Sequence, residues 1–122
     1  MKKTMSLLAL AGTMMIGGLG AATAAQAASP TLCPASKVCL FQNVDYGALL
    51  GYRAGGGGLL NVSTASNDKT SSWSNKSKST SAWYFDANGK GTCRTMPAGQ
   101  NNSWVGTQDN DNLTSWKTNG GC

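Results

Sequence analysis

Asn67-Asp68-Lys69-Thr70-Ser71-Ser72-Trp73 returns 43 residues later as Asn110-Asp111-Asn112-Leu113-Thr114-Ser115-Trp116. Both copies fit Asn-Asp-x-x-(Ser/Thr)-Ser-Trp. A repeat of this period marks a duplicated supersecondary unit. A second echo accompanies it: Phe41 stands six residues before Gly47, and Phe85 stands six before Gly91, an offset of 44. Each unit thus opens with an aromatic and a glycine and closes with the polar block. Gly47 and Gly91 are expected where a hairpin folds over and the backbone needs a positive φ.

Working outward, no stretch carries sustained helical periodicity. Short apolar or aromatic runs alternate with Gly, Asn, Ser and Asp clusters. They are Val38–Phe41, Ala48–Tyr52, Leu59–Val62, Ser81–Phe85, Thr92–Met96, Trp104-Val105 and Leu113–Lys117. Strands this short, separated by glycine-rich turns, predict an all-β sandwich or barrel. The shared pattern predicts two Greek keys packed face to face, about residues 33–79 and about 80–122. Phe41, Tyr46, Trp83 and Phe85 are expected between the sheets. Gly55–Gly58 reads as a loop. No Lys-Ser/Thr pair or helix start follows it, so it is not a phosphate cradle.

Lys2 and Lys3, the apolar run Met5–Ile16 and the small-x-small triplet Ala25-Gln26-Ala27 together read as a secretory signal over residues 1–27. The apolar run is too short to span a bilayer, so stable membrane insertion is not expected. The mature chain, 28–122, is then one extracellular domain, expected to be a monomer. A chain this small buries about 60–65% of its unfolded surface and needs staples.

Four cysteines, Cys33, Cys39, Cys93 and Cys122, fit two disulfides in a secreted chain. They allow three pairings. The favoured one is Cys33–Cys39, closing a turn around Pro34, with Cys93–Cys122 tying residue 122 to the second unit. Chain entropy assigns these about 2 and about 3.5 kcal/mol. Zinc is excluded by spacing and by the lack of any histidine. Without Lys2 and Lys3 the chain carries eight basic side chains against five aspartates, net +3. That suits solubility or an anionic partner. No basic run gathers around the aromatics, so nucleic-acid binding is not expected.

The repeated block is rich in hard oxygen donors. Carboxylate, amide, hydroxyl and backbone carbonyl are the ligands Ca²⁺ prefers. The same residues also build polar turns, since Asn, Asp, Ser and Thr bond neighbouring backbone. Enzyme chemistry finds little support. With no histidine and no glutamate, the usual bases and triads are missing. Asp45, Asp86 and Asp109 sit in turn-like polar clusters.

Phe-x5-Gly followed by the polar block, twice over, resembles a βγ-crystallin domain. The opening run Cys33-Pro34-Ala35-Ser36-Lys37-Val38-Cys39-Leu40-Phe41-Gln42-Asn43 resembles secreted bacterial members grouped with the actinobacterial metalloproteinase-inhibitor family. The resemblance spans Cys33 to Cys122. It implies two Ca²⁺ sites built as a double clamp. Lys69 and Asn112 would offer carbonyls, and Ser71 and Thr114 hydroxyls. Asn67, Asp68, Asn110 and Asp111 would orient the loops or complete the shells, and Ser72 and Ser115 would hold the turns. Lys69 places a cation beside the first site, and Lys90 stands where Tyr46 supplies an aromatic in the first unit. With one acid per block, affinity is expected on the order of 10⁻⁶ to 10⁻³ M.

The resemblance also implies inhibition of secreted metalloproteases by a rigid, disulfide-braced loop. The candidate is Cys93-Arg94-Thr95-Met96, running on to Pro97, although the bracing cysteine just downstream in the family's pattern is missing here. The sequence is therefore read as a non-enzymatic peptidase-inhibitor-like protein with a secreted protease as partner. The alternative is a Ca²⁺-binding structural or killer-toxin-like antagonist acting at cell walls or membranes.

Overall fold

The computed structural model describes residues 29–122. The expected signal segment, 1–27, lies outside the described residues. Eight strands form two antiparallel four-stranded sheets. They are β1 (Lys37–Asn43), β2 (Gly47–Ala54), β3 (Leu60–Asn61), β4 (Ser72–Asn75), β5 (Ser81–Asp86), β6 (Lys90–Met96), β7 (Asn101–Asn102) and β8 (Ser115–Lys117). One sheet runs β2-β1-β4-β7 and the other β3-β8-β5-β6. Each half of the chain thus gives its third strand to the sheet of the other half. The short β3 and β7 are the exchanged strands, and they lock the halves together.

β1 shows why the sandwich holds. Val38, Cys39, Leu40 and Phe41 are all buried, because the strand is covered on both faces. Val38 and Leu40 face the space between the sheets, with Trp73, Trp83, Met96, Leu113 and Trp116. Side chains alternate along a strand, so Cys39 and Phe41 point the other way. They pack with Cys33, Tyr46 and Leu49 in a second cluster. Phe41 and Tyr46 meet edge to face there, with centroids 5.7 Å apart. Of the four aromatics expected between the sheets, Trp83 is there, and partly buried Phe85 stacks on it at 5.5 Å. Phe41 and Tyr46 instead build the satellite cluster that seals the outer face of the first sheet.

Both disulfides take the favoured pairing, Cys33–Cys39 and Cys93–Cys122. The first joins the chain's entry to β1 and backs the Phe41 cluster. The second ties residue 122 to β6.

β4, Ser72-Trp73-Ser74-Asn75, carries no apolar alternation, yet all four residues are buried. Its polar side chains are internally bonded. Ser74 Oγ donates to Asn101 Oδ1 at 2.6 Å, across to β7. Asn75 Nδ2 donates to the carbonyls of Ser79 and Met96, at 2.8 and 2.9 Å. Its Oδ1 accepts from the N–H and hydroxyl of Ser77. The β4–β5 crossover is thereby fixed to the end of β6. At the 43-residue offset from Asn75 stands Thr118, also fully buried. Its hydroxyl donates to Ala54 O at 2.7 Å and accepts from Gly57 N–H at 2.8 Å, fixing the β2–β3 crossover. The internal symmetry therefore reaches past the aromatic that closes each block.

Candidate functional site: two crossed polar loops

The two blocks come together at one end of the sandwich, where each binds the other. The N–H of Asp68 donates to Leu113 O at 3.1 Å, and the N–H of Asp111 donates to Thr70 O at 3.1 Å. Second-position amide thus meets fourth-position carbonyl in both directions. The side chains cross in the same sense. Ser71 Oγ donates to Asn110 Oδ1 at 2.6 Å, and Thr114 Oγ1 donates to Asp68 Oδ1 at 3.3 Å. Val62 N–H donates to Thr114 O and Val105 N–H to Ser71 O. The result is a pseudo-twofold clamp in which each loop is completed by the other.

Asp68 and Asp111 hold φ of 58° and 61°. Aspartate tolerates this region better than most residues. That explains an Asp at the second block position without reference to any ligand. The sixth position holds the hairpins. Ser72 Oγ donates to Asn43 O at 2.7 Å and accepts from Tyr46 N–H at 3.1 Å. Ser115 Oγ donates to Asp86 O at 2.6 Å and accepts from Gly89 N–H at 2.9 Å.

The backbone bonds and those of the sixth position obey the offset of 43, which corrects the hairpin register read from Phe41 and Phe85; the fifth-position hydroxyls depart from it, Ser71 reaching the first residue of the other block and Thr114 the second. Tyr84, not Phe85, matches Phe41. The paired positive-φ positions are Asp45 with Asn88, Tyr46 with Gly89, and Ala48 with Gly91. Gly91 has φ 76°, as expected, but Gly47 sits at −90° in extended backbone. The residue facing Tyr46 across the repeat is therefore Gly89, not Lys90. Tyr46 accepts a left-handed backbone that costs an ordinary residue about 1–2 kcal/mol. Its ring against Phe41 and its N–H on Ser72 hold it there.

All eight residues read as metal-ligating, Asn67, Asp68, Lys69, Ser71, Asn110, Asp111, Asn112 and Thr114, lie in these two loops. The donor set is oxygen throughout. Two oxygens of the first loop are buried and lack a hydrogen-bond partner, Asn67 Oδ1 and Thr70 Oγ1. Orphaned hard donors beside single carboxylates suit a hard cation better than a soft one. Among the described residues, no three acidic, thiol or imidazole side chains gather as metal ligands. A cation here would rest largely on neutral oxygens.

Cys93–Met96, the candidate inhibitory segment, is the end of β6, the outer strand of its sheet, in line with the run Thr92–Met96 expected as a strand and in place of a loop. Alternation sorts its residues. Met96 is fully buried between the sheets and cannot be presented to a partner. Arg94, on the same face, forms a two-pronged pair with Asp109, Nε to Oδ2 at 2.7 Å and Nη2 to Oδ1 at 3.0 Å. It also lies over the Phe85 ring at 5.9 Å. The Asp109 bonds hold the Arg94 pKa above its ordinary value. Thr95 faces outward and accepts the N–H of Cys122 at 3.0 Å. Sequence reading did not anticipate the Arg94–Asp109 pair. Arg94 sits 15 residues from Asp109 with no local motif to link them.

The exchanged-strand sandwich and crossed loops define a βγ-crystallin domain. A βγ-crystallin domain from Clostridium beijerinckii is similar at 28% identity and a TM-score of 0.55, over 66% of this chain and 94% of that one. A βγ-crystallin from Ciona intestinalis shares the fold at 22% identity and a TM-score of 0.54, over 67% and 98%. A structure described under the evolution of the eye lens βγ-crystallin domain fold matches at 20% identity and 0.57, over 68% and 85%. The model of peptidase inhibitor family I36 matches residues 26–96, and the chain belongs to that family. It is thus a peptidase-inhibitor-like protein and not an enzyme. No curated protein matches the sequence.

Proposed function

We propose that the mature domain, residues 28–122, is a secreted inhibitor of extracellular metalloproteases, with β6 as the edge it presents. The carrying observation is the bracing of β6. One face is held by Met96 and the Arg94–Asp109 pair. The other is held by Cys93–Cys122 and by the Thr95–Cys122 bond. Proteases take their substrates as extended strands, so an outer strand meets the geometry they require. A strand already fixed loses little freedom on binding, which favours affinity. The same bracing keeps the ends together if a bond is attacked, which favours reclosure over release.

Arg94→Ala removes the ion pair and the ring contact while leaving Met96 and both cysteines in place. Its inhibition constant against a thermolysin-like enzyme is expected to rise at least tenfold, with the melting midpoint lowered by only a few degrees. Unchanged inhibition would remove β6 from the contact.

We further propose that the crossed loops bind two Ca²⁺ ions. Asn67, Asp68, Lys69 and Ser71 would serve with Asn110, Asp111, Asn112 and Thr114. The bound ion would supply positive charge to oxygens that otherwise face one another, joining the two halves more firmly. Saturation at about 100 times the dissociation constant adds about 2.7 kcal/mol per site. Calorimetric titration of the protein with Ca²⁺ is expected to show heat and a raised melting midpoint. Asp68→Asn with Asp111→Asn should reduce both. An unshifted midpoint in the wild-type protein would leave the blocks as turns alone.

A further inference from the structure

The charged side chains are sorted between the two ends of the sandwich. β1 runs from Lys37 to the hairpin at Asn43, β4 returns to end at Asn75 opposite Val38, and β8 ends at Lys117 opposite Ala82. The crossed loops and the 43–47 and 86–90 hairpins therefore share one end. The two crossovers share the other. All five aspartates, Asp45, Asp68, Asp86, Asp109 and Asp111, belong to the loop end. The crossover end carries Lys37, Arg53, Lys76, Lys78 and Lys117, and no acidic side chain. None of these five is in an ion pair within the described residues, where Arg94 and Asp109 form one. A net charge of +3 on the mature chain hides this polarity.

The surroundings of the cations narrow the partner. Lys76 Nζ donates to Cys33 O at 2.8 Å, and Arg53 lies over the Trp116 ring and donates to Trp116 O. The others have no such contacts. Between them lie Gly55–Gly58, Ser77, Ser79 and Gly120-Gly121, which are small and fill no pocket. Two exposed large hydrophobics border this end, Leu32 beside the Cys33 that accepts from Lys76 and Tyr52 beside Arg53, while none falls within 53–58, 76–80 or 117–121. Protein interfaces centre on buried aromatic and aliphatic anchors. Bilayer binding by a folded domain needs apolar side chains to enter the headgroup boundary. Here the apolar side chains stand only at the margin, and the ground between the cations carries none. Spread lysines are compact point charges that suit a line of anions better than one planar carboxylate.

We propose that the crossover end is a docking face for a linear polyphosphate-type polymer without bases, since no exposed aromatic lies between its cations for a base to stack on. Held this way, the domain would turn its crossed loops away from the polymer. Such binding is driven by release of condensed counterions and falls steeply with salt. The probe is long-chain inorganic polyphosphate, with binding followed by fluorescence anisotropy of the labelled mature protein. Affinity is expected to fall at least tenfold between 20 and 200 mM salt, on the order set by a handful of phosphate contacts. Lys76→Ala with Lys78→Ala should weaken binding at least fivefold at 50 mM salt. Lys90→Ala, which removes one charge at the loop end, should alter it less than 1.5-fold, against at least twofold for the matching single variant Lys78→Ala. Melting midpoints of all the variants confirm that each is folded. Equal losses from Lys78→Ala and Lys90→Ala would overturn the face, since only total charge would then matter. Binding to anionic lipid vesicles or to an acidic protein, with none to polyphosphate, would overturn the partner class.

Discussion

Trp83→Ala is expected to cost about 3–5 kcal/mol, the range for emptying a fully buried aromatic site. A domain of this size has about 5–15 kcal/mol in all. The melting midpoint should fall by about 12–40 °C, since each kcal/mol moves it by about 4–8 °C. The loss is large because Trp83 is 1% exposed. It pairs with Arg94 on one side and Trp116 on the other. It also carries the stacked Phe85. Its indole Nε1 is buried without a hydrogen-bond partner. Trp83→Phe therefore breaks no hydrogen bond and should cost only about 1–2 kcal/mol, the smaller volume change alone. Thermal melts of the two variants check this. A phenylalanine as damaging as alanine would mean that the indole N–H has a partner, such as a buried water.

Asn75→Ala is expected to be nearly as severe, about 3–4 kcal/mol, with little volume lost. It removes both donors from the carbonyls of Ser79 and Met96 and the acceptor from Ser77. Each buried polar group left without a partner costs about 1–3 kcal/mol. Asn75→Asp keeps the shape but sets a carboxylate against two carbonyls, and should be at least as damaging at neutral pH. Asn119→Ala, at an exposed position, should stay within about 0.5 kcal/mol. Urea unfolding of the three proteins would rank them. A mild Asn75→Ala would show that the crossover does not depend on this side chain.

Much of this architecture was legible in the repeat. The block marked the duplication and its offset of 43. Cysteine count and spacing led to the observed disulfides. The exchanged short strands were not legible. β7 forms at Asn101-Asn102, three residues before the expected Trp104-Val105, because pairing with Trp73 and Ser74 selects it. β4 was missed for the opposite reason. Its Ser-Trp-Ser-Asn sequence looks like a loop until each polar group is seen to have a partner inside the protein. Carrying the repeat past its tryptophans, from Asn75 to Thr118, would have flagged both crossover anchors.

The hairpin register failed by one residue, because two Phe–Gly pairs happen to share a spacing at an offset of 44. Hydrogen bonds from Ser72 and Ser115 show the true offset of 43. The segment proposed as inhibitory is a strand and not a loop, as the run Thr92–Met96 already suggested. Its alternation, with Thr92, Arg94 and Met96 on one side, is that of a strand, and the buried Met96 leaves Arg94 and Thr95 as the residues available to a partner.

The most direct measurement is titration of a thermolysin-like metalloprotease with the intact domain, residues 28–122, in buffer containing Ca²⁺. Residual activity would be read first, then the chain by mass spectrometry after long incubation. A saturable loss of activity near equimolar inhibitor is expected, with the chain uncut or nicked only slowly and held together by Cys93–Cys122. Undiminished protease activity, or rapid cleavage within β6 and loss of the domain, would contradict it.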